Sequence, residues 1–249
     1  MKYAIIDFEY NQPFNFEKNE NGKVVGNCPF EIIQIGAVKV DGENIENFNA
    51  YIKPEIYERL NPFVKKITDI SKETLKNEDS FKNVYKSFHK FIDEPEIVLC
   101  FWGNNDIREL FKNLKYHNID YSLLNPMFIN IQTLACEYLE VPTGKTIGLK
   151  NACEALNINM DLNFHNALND AIYTAEVFKI VKQKKMRKEV FNIKTLSKKA
   201  VSKNYKVNHP LLYKEAERDF GRLLTKKEKK IIRKFYELGR LKSFDNKNL

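Results

Sequence analysis

The alternation of apolar and polar positions divides the chain into elements before any single residue is weighed. Residues 3–8 form a short apolar run, residues 31–40 (EIIQIGAVKV) are β-branched with partial alternation, and residues 45–52 follow the turn signal Asp41-Gly42. Short runs bounded by turn residues read as strands, and three in succession predict an antiparallel meander. The polar segment 11–29, with two glycines and a Lys/Glu/Asn cluster, is expected as a surface loop or small hairpin near the end of the first strand.

Beyond Pro54 and Pro62 the period changes. Ser80 precedes Phe81, Val84, Tyr85, Phe88, Phe91 and Ile92, which recur at helical spacing, so Ser80 is read as the cap of a helix with one face in the core. Residues 97–102 (IVLCFW) are continuously apolar, as expected of a strand covered on both faces. Helical spacing returns over 106–114. A weaker strand at 127–131 leads into a helix through Leu139, and 147–156 and 169–181 read as further helices. A meander followed by alternating strands and helices predicts an α/β fold with a mixed five-stranded sheet flanked by helices.

Composition narrows the class. Of 249 residues, 43% are hydrophobic and 12% aromatic, enough for a substantial core. Cys28, Cys100, Cys136 and Cys153 form no C-x-x-C pair, which argues against a zinc knuckle or disulfide framework and predicts reduced thiols in a cytoplasmic protein. The N-terminal apolar run is too short for a secretory signal, no stretch is long enough to span a bilayer, and no membrane association is expected.

Charge is unevenly placed. The total is +8, but residues 1–181 carry 19 Lys and Arg against 26 Asp and Glu, or −7, while residues 182–249 carry 22 against 7, or +15. A soft boundary is therefore placed after Val181, giving a catalytic domain 1–181 and a basic helical region 182–249. A segment so rich in Lys and Arg suits a grip on phosphates, and an acidic domain would need cations to approach a polyanion; the simpler alternative is a solvated Lys-rich surface. Within the basic region, Thr225 and Glu228 have capping-box spacing. Leu224, Ile231, Phe235, Leu238 and Leu241 follow one helical face, with Lys226, Lys227, Lys229, Lys230, Arg233 and Lys234 largely elsewhere.

Asp7 and Glu9 lie two apart in the first strand, so both carboxylates point to one side and Phe8 to the other. Paired acids repel unless a cation lies between them, and a hard divalent ion takes oxygen ligands. Alone, D-x-E also occurs by chance at strand ends. Asp106 follows FWGNN at the carboxyl end of the buried strand, where ligand sites of α/β sheets gather, although an Asp there also serves as a helix cap. His165 and Asp170 fall in HNALND at the start of the last helix of the domain. One histidine and four acids at the edges of elements in one α/β domain make a set.

That set resembles the DEDDh exonucleases, the DnaQ-like group of the ribonuclease H-like fold. The first motif stands as Asp7-Phe8-Glu9, the second as Asp106 after Trp102-Gly103-Asn104-Asn105, and the third as His165 through Asp170. The strand at 31–38, the segments Pro62-Phe63 and Ile67-Thr68-Asp69-Ile70, and the Trp102-Gly103 pair are most similar to the subgroup with Eri-1-type and KapD-like proteins. Tyr10 and Asp69 depart from the family, standing where a small residue and a glycine are usual.

The resemblance implies a 3′→5′ exonuclease that releases nucleoside 5′-monophosphates from a single-stranded nucleic acid with a free 3′ end. It implies two Mg²⁺ or Mn²⁺ ions, about 3.5–4 Å apart, held by Asp7, Glu9, Asp106 and Asp170, with His165 as the general base. It also implies a terminal nucleotide surrounded by Phe8, Tyr10, Ile67, Thr68, Trp102 and Asn105. For Ile67 and Trp102, burial in the core is an equally common role for such side chains. RNA or short single strands are the expected substrate. The alternatives are a DNA proofreading or repair exonuclease, and a regulatory protein that keeps the fold without turnover.

Overall fold

The computed structural model describes residues 1–13, 28–122, 124–182, 186–193, 196, 213, 217 and 222–232. Contacts divide the chain into two compact units, Met1–Lys199 and Ala200–Leu249. The shift in composition at Val181 and this division in contacts fall at different places in the chain.

The first unit is built on the meander β1 (Tyr3–Asn11), β2 (Glu31–Asp41) and β3 (Asn44–Tyr51). Its β2–β3 turn holds Gly42 at φ +63°, a left-handed conformation that glycine adopts without cost. Helices α1 (Pro62–Thr68), α2 (Lys72–Leu75) and α3 (Phe81–Ile92) lead to β4 (Val98–Phe101). There follow α4 (Asn105–Tyr116), β5 (Met127–Asn130), α5 (Ile131–Tyr138), α6 (Leu149–Ala155), α7 (Ala167–Val181) and β6 (Glu189–Val190). Among the described residues the sheet has six strands in the order β3-β2-β1-β4-β5-β6. β1, β4 and β5 run parallel, while β2, β3 and β6 run antiparallel to their neighbours.

The expected five strands thus become six. The sixth is two residues long and lies in a Lys-rich stretch, so it carries no alternation from which to recognise it; pairing with Met127 and Phe128 makes it a strand.

Alternate residues of β1 feed two cores. Ala4, Ile6 and Phe8 pack with Phe88, Phe101, Leu110 and Phe111 from β4, α3 and α4. Ile5, on the opposite face, packs with Cys100, Ile129, Ala171 and Phe178, which places α7 over that side of the sheet. Ser80 does cap α3, accepting from the Asn83 N–H, and Phe81, Val84, Tyr85, Phe88 and Ile92 are buried. All four cysteines are free thiols. No helix among the described residues is long and apolar enough to cross a membrane.

In the second unit, Thr225 and Glu228 form the expected capping box: the Thr225 N–H donates to Glu228 Oε2 at 2.8 Å and the Glu228 N–H to Thr225 Oγ1 at 3.3 Å. Residues 226–232 are helical. Lys229 pairs with Glu217 at 2.9 Å, while Lys226, Lys227 and Lys230 are exposed. Phe235, Leu238, Leu241, Arg233 and Lys234 of the expected amphipathic face lie outside the described residues, as does most of the 11–29 loop.

Candidate active site

β1 presents Asp7 and Glu9 to the side of the sheet that receives α7, and two residues of β2 determine how closely that helix can approach. Asp7 lies opposite Gly36 and Glu9 opposite Gln34, so all four share a face. A Cβ on Gly36 would stand 2.1 Å from the Ala167 carbonyl carbon and 2.2 Å from the Leu168 nitrogen, so the bare glycine is what lets the first turn of α7 lie on the strand. Gln34, fully buried, accepts from the Ala167 N–H at 3.2 Å and donates to Asn49 Oδ1 at 2.9 Å. Asn166 caps the helix through the Leu168 and Asn169 N–H groups. Asp170, in the first turn, is thereby carried to Asp7 and Glu9. One carboxylate oxygen from each of the three lies within 4.8 Å of the others.

Burial makes these three carboxylates hold their protons to higher pH than exposed acids do. Burial raises Glu9 to about 8, with the charges of Asp170 and Asp106 adding to the effect. Asp7 retains some solvent exposure, yet protein surrounds its carboxylate densely enough that burial raises its pKa well above the usual range, helped by Asp106, Asp170 and Glu9. Asp170 is raised to about 6 by burial, against the opposing effect of the His165 N–H that donates to its Oδ2 at 3.2 Å. Its Oδ1 is buried without a partner among the described residues. A buried unpaired acceptor beside two more acids is costly as it stands and suits a hard divalent cation, which supplies positive charge to several oxygens at once. The residues present fit such an ion.

Asp106 comes from the other side. It is the second residue of α4, immediately beyond β4, and the cap position belongs to Asn104. Among the described residues it stands outside the 4.8 Å set, though its charge still raises Asp7. The Tyr10 hydroxyl donates to its Oδ1 at 2.6 Å. Burial lifts Asp106 to about 6, offset in part by that hydrogen bond. His165 is exposed and sits at φ +63°, its backbone tied to Asp170.

The six residues expected around a terminal nucleotide come from β1, α1, the turn after β4 and the start of α4. Ile67 and Thr68 line a cleft of about 440 Å³ with Tyr51, Asp69, Asn163 and Asn169, next to the start of α7. Trp102 is half-buried at the end of β4 with its Nε1 unpartnered among the described residues. Asn105 is exposed and accepts from Arg108. Phe8 lies in the core, in line with the opposite facing expected from its place between two site acids.

Sequence reasoning missed Gly36, Gln34 and Asn166. Gly36 had a signal: a glycine inside an apolar strand marks a close approach of another backbone. Gln34 had one too, as a polar residue in a continuously apolar run. Asn166 hid inside the third motif, between two residues assigned to chemistry.

A family model described as Exonuclease matches residues 5–178. The chain is 28% identical over 184 residues to the probable 3′-5′ exonuclease KapD of Bacillus subtilis, covering 73% of this chain and 84% of that protein. It is 34% identical over 152 residues to the PolC-type DNA polymerase III of Thermotoga petrophila, covering 59% of this chain and 10% of that far longer protein. Of solved structures, the nuclease domain of 3′hExo, a DEDDh family member, bound to rAMP, matches with a TM-score of 0.61 at 24% identity. That match covers 76% of this chain and 97% of that one, a likeness of fold in the ribonuclease H-like class.

Proposed function

The chain belongs to the exonuclease family whose model spans residues 5–178, and we propose that it is a divalent-metal-dependent 3′→5′ exonuclease acting on RNA or short single strands. The observation that carries this reading is the convergence of Asp7, Glu9 and Asp170 within 4.8 Å, with one buried oxygen of Asp170 left unpartnered. Exonucleases of this kind use divalent metal ions. Mg²⁺ or Mn²⁺, two per site, is the proposed complement, held by Asp7, Glu9 and Asp170 on one side and by Asp7 with Asp106 on the other. When bound, such ions neutralise charge on the scissile phosphate and stabilise the attacking and leaving oxygens.

The chain's own residues supply the rest. His165, exposed beside Asp170 with its backbone N–H on that carboxylate, takes the proton from the attacking water at its imidazole. The cleft edged by Ile67 and Thr68 receives the terminal nucleoside, and Trp102, Asn105 and the backbones of Phe8 and Tyr10 supply its further contacts. The basic region 182–249 holds the strand upstream of the 1–181 catalytic part through its phosphates, without reading sequence. The four free thiols fit a reducing cytoplasm.

A second reading, DNA proofreading or repair, has its own support in the likeness to the PolC-type polymerase. Hydrolysis of matched, end-labelled RNA and DNA single strands separates the two, because contacts to the 2′-hydroxyl distinguish them. Faster release from RNA supports the first reading. Equal or faster release from DNA moves the assignment to the second.

A further inference from the structure

Tyr10 stands where the family usually carries a small residue, and its hydroxyl has a specific target. The β1–β2 register shifts between Glu9 and Tyr10: Glu9 faces Gln34, whereas Tyr10 faces Ile32. Such a bulge re-aims the side chain that follows it. The Tyr10 ring rests edge-on against Phe8, with centroids 6.2 Å apart, and Phe30, at 6.0 Å. Ring packing therefore fixes where the hydroxyl points, and it points at Asp106.

Asp106 depends on that contact. The side chain is 9% exposed, and the 2.6 Å hydrogen bond from Tyr10 is its one hydrogen bond among the described residues. The distance is that of a hydroxyl donating to a carboxylate. One turn further along α4, the buried Glu109 pairs through Oε1 with Lys112 at 2.8 Å and leaves Oε2 unpartnered, so among the described residues it offers Asp106 no donor. With Oδ1 taken by Tyr10, Oδ2 is the oxygen left without a hydrogen bond among the described residues.

We infer that Tyr10 is a positioning residue for one of the two cation sites: it orients Asp106 so that α4 offers a single oxygen toward Asp7, while the Asp7–Glu9–Asp170 site stands without it. This rests on the metal-dependent reading above. The inference gives a tyrosine at this position a task that a small residue cannot perform, and it makes the two cation sites separable by removing one oxygen atom.

The test is Tyr10→Phe, which keeps the ring and its packing. Mn²⁺ is titrated into the full-length chain in the presence of a fixed excess of nucleoside 5′-monophosphate, with bound ion followed by electron paramagnetic resonance and by calorimetry. Wild type should bind two ions. In Tyr10→Phe the tighter ion should be retained at near wild-type affinity and the weaker one should lose roughly ten- to hundredfold, the worth of a hydrogen bond to a charged group. In an Asp106→Ala background, adding Tyr10→Phe should weaken binding no further, since a residue acting through Asp106 has nothing left to orient. Unchanged affinity for the weaker ion, equal weakening of both ions, or additive effects in the double variant would each overturn the inference. Failure of the wild-type protein to bind Mn²⁺ at all would instead remove the functional reading on which it stands.

Discussion

Replacing Gly36 with alanine adds one methyl group at the point where α7 meets the sheet. The new Cβ would lie 2.1, 2.2 and 2.3 Å from Ala167 C, Leu168 N and Ala167 O, all of them backbone atoms that cannot rotate aside. Reaching ordinary contact at 3.4 Å requires a displacement of about 1.3 Å. Two losses follow. Overpacking costs about 1–3 kcal/mol, and an Ala167 N–H drawn away from Gln34 adds a similar amount. The sum, about 2–6 kcal/mol, should lower the melting temperature by roughly 4–24 °C. The same lift moves Asp170 away from Asp7 and Glu9, and a shift on the order of 1 Å in a catalytic group costs roughly a hundredfold in rate. Thermal melts with and without Mn²⁺, together with single-strand hydrolysis, measure both effects; Mn²⁺ should stabilise the variant less than wild type. Gly148→Ala serves as the control, because a Cβ there meets nothing within 4 Å. Wild-type melting and hydrolysis in Gly36→Ala would refute the claim that this contact seats Asp170.

Three further outcomes are expected. An acid whose pKa is raised on folding holds a proton that the unfolded chain has lost, so the metal-free protein should lose stability as pH rises from about 4. The loss should continue through the raised values of Asp106 and Asp170, about 6, to that of Glu9, about 8. Divalent cation should flatten the slope and Asp7→Asn should reduce it while abolishing hydrolysis; metal-free melts between pH 5 and 8 that are flat or rising would contradict this. His165→Ala should slow hydrolysis by roughly 10²–10⁴-fold with Mn²⁺ binding intact, and loss of the ions would make His165 a ligand rather than a base. Charge reversal of Lys226, Lys227 and Lys230, sparing the Glu217-paired Lys229, should weaken binding to long strands and flatten its salt dependence. Dinucleotide hydrolysis should be unaffected, and an unchanged salt slope would leave this segment as a solvated helix.

The parts of the fold that repeat a period were legible and the parts that depend on one contact were not. The meander, the Ser80-capped helix and the covered strand at 98–101 follow from alternation, helical spacing and a continuous apolar run. The facing of Asp7 and Glu9 follows from the period of two in a strand. The seating of α7 does not, because it turns on one missing methyl at Gly36, 131 positions before Ala167: a glycine in a strand signals that some backbone comes close, but no local pattern says which one. The hydrogen bond from Tyr10 to Asp106 is likewise invisible in sequence: it needs a register shift in β1, which spacing alone does not reveal. Tyr10 could be flagged as unusual, but its target could not be named. Ile67 and Thr68 were singled out together with Trp102, yet they sit on α1 and the end of β4, elements whose relation only tertiary packing defines.

The activity proposed for this site is removal of nucleotides from a 3′ end with divalent cations held by Asp7, Glu9 and Asp170. Its most direct test uses a 5′-labelled single-stranded RNA, with a free or a blocked 3′-hydroxyl, incubated with Mg²⁺, Mn²⁺ or a chelator and with the Asp170→Asn variant. The ladder should shorten from the 3′ end and release nucleoside 5′-monophosphates. It should form only with cation, a free 3′ end and an intact Asp170. Internal cleavage, equal cleavage of the blocked strand, or hydrolysis that survives chelation or Asp170→Asn would contradict it.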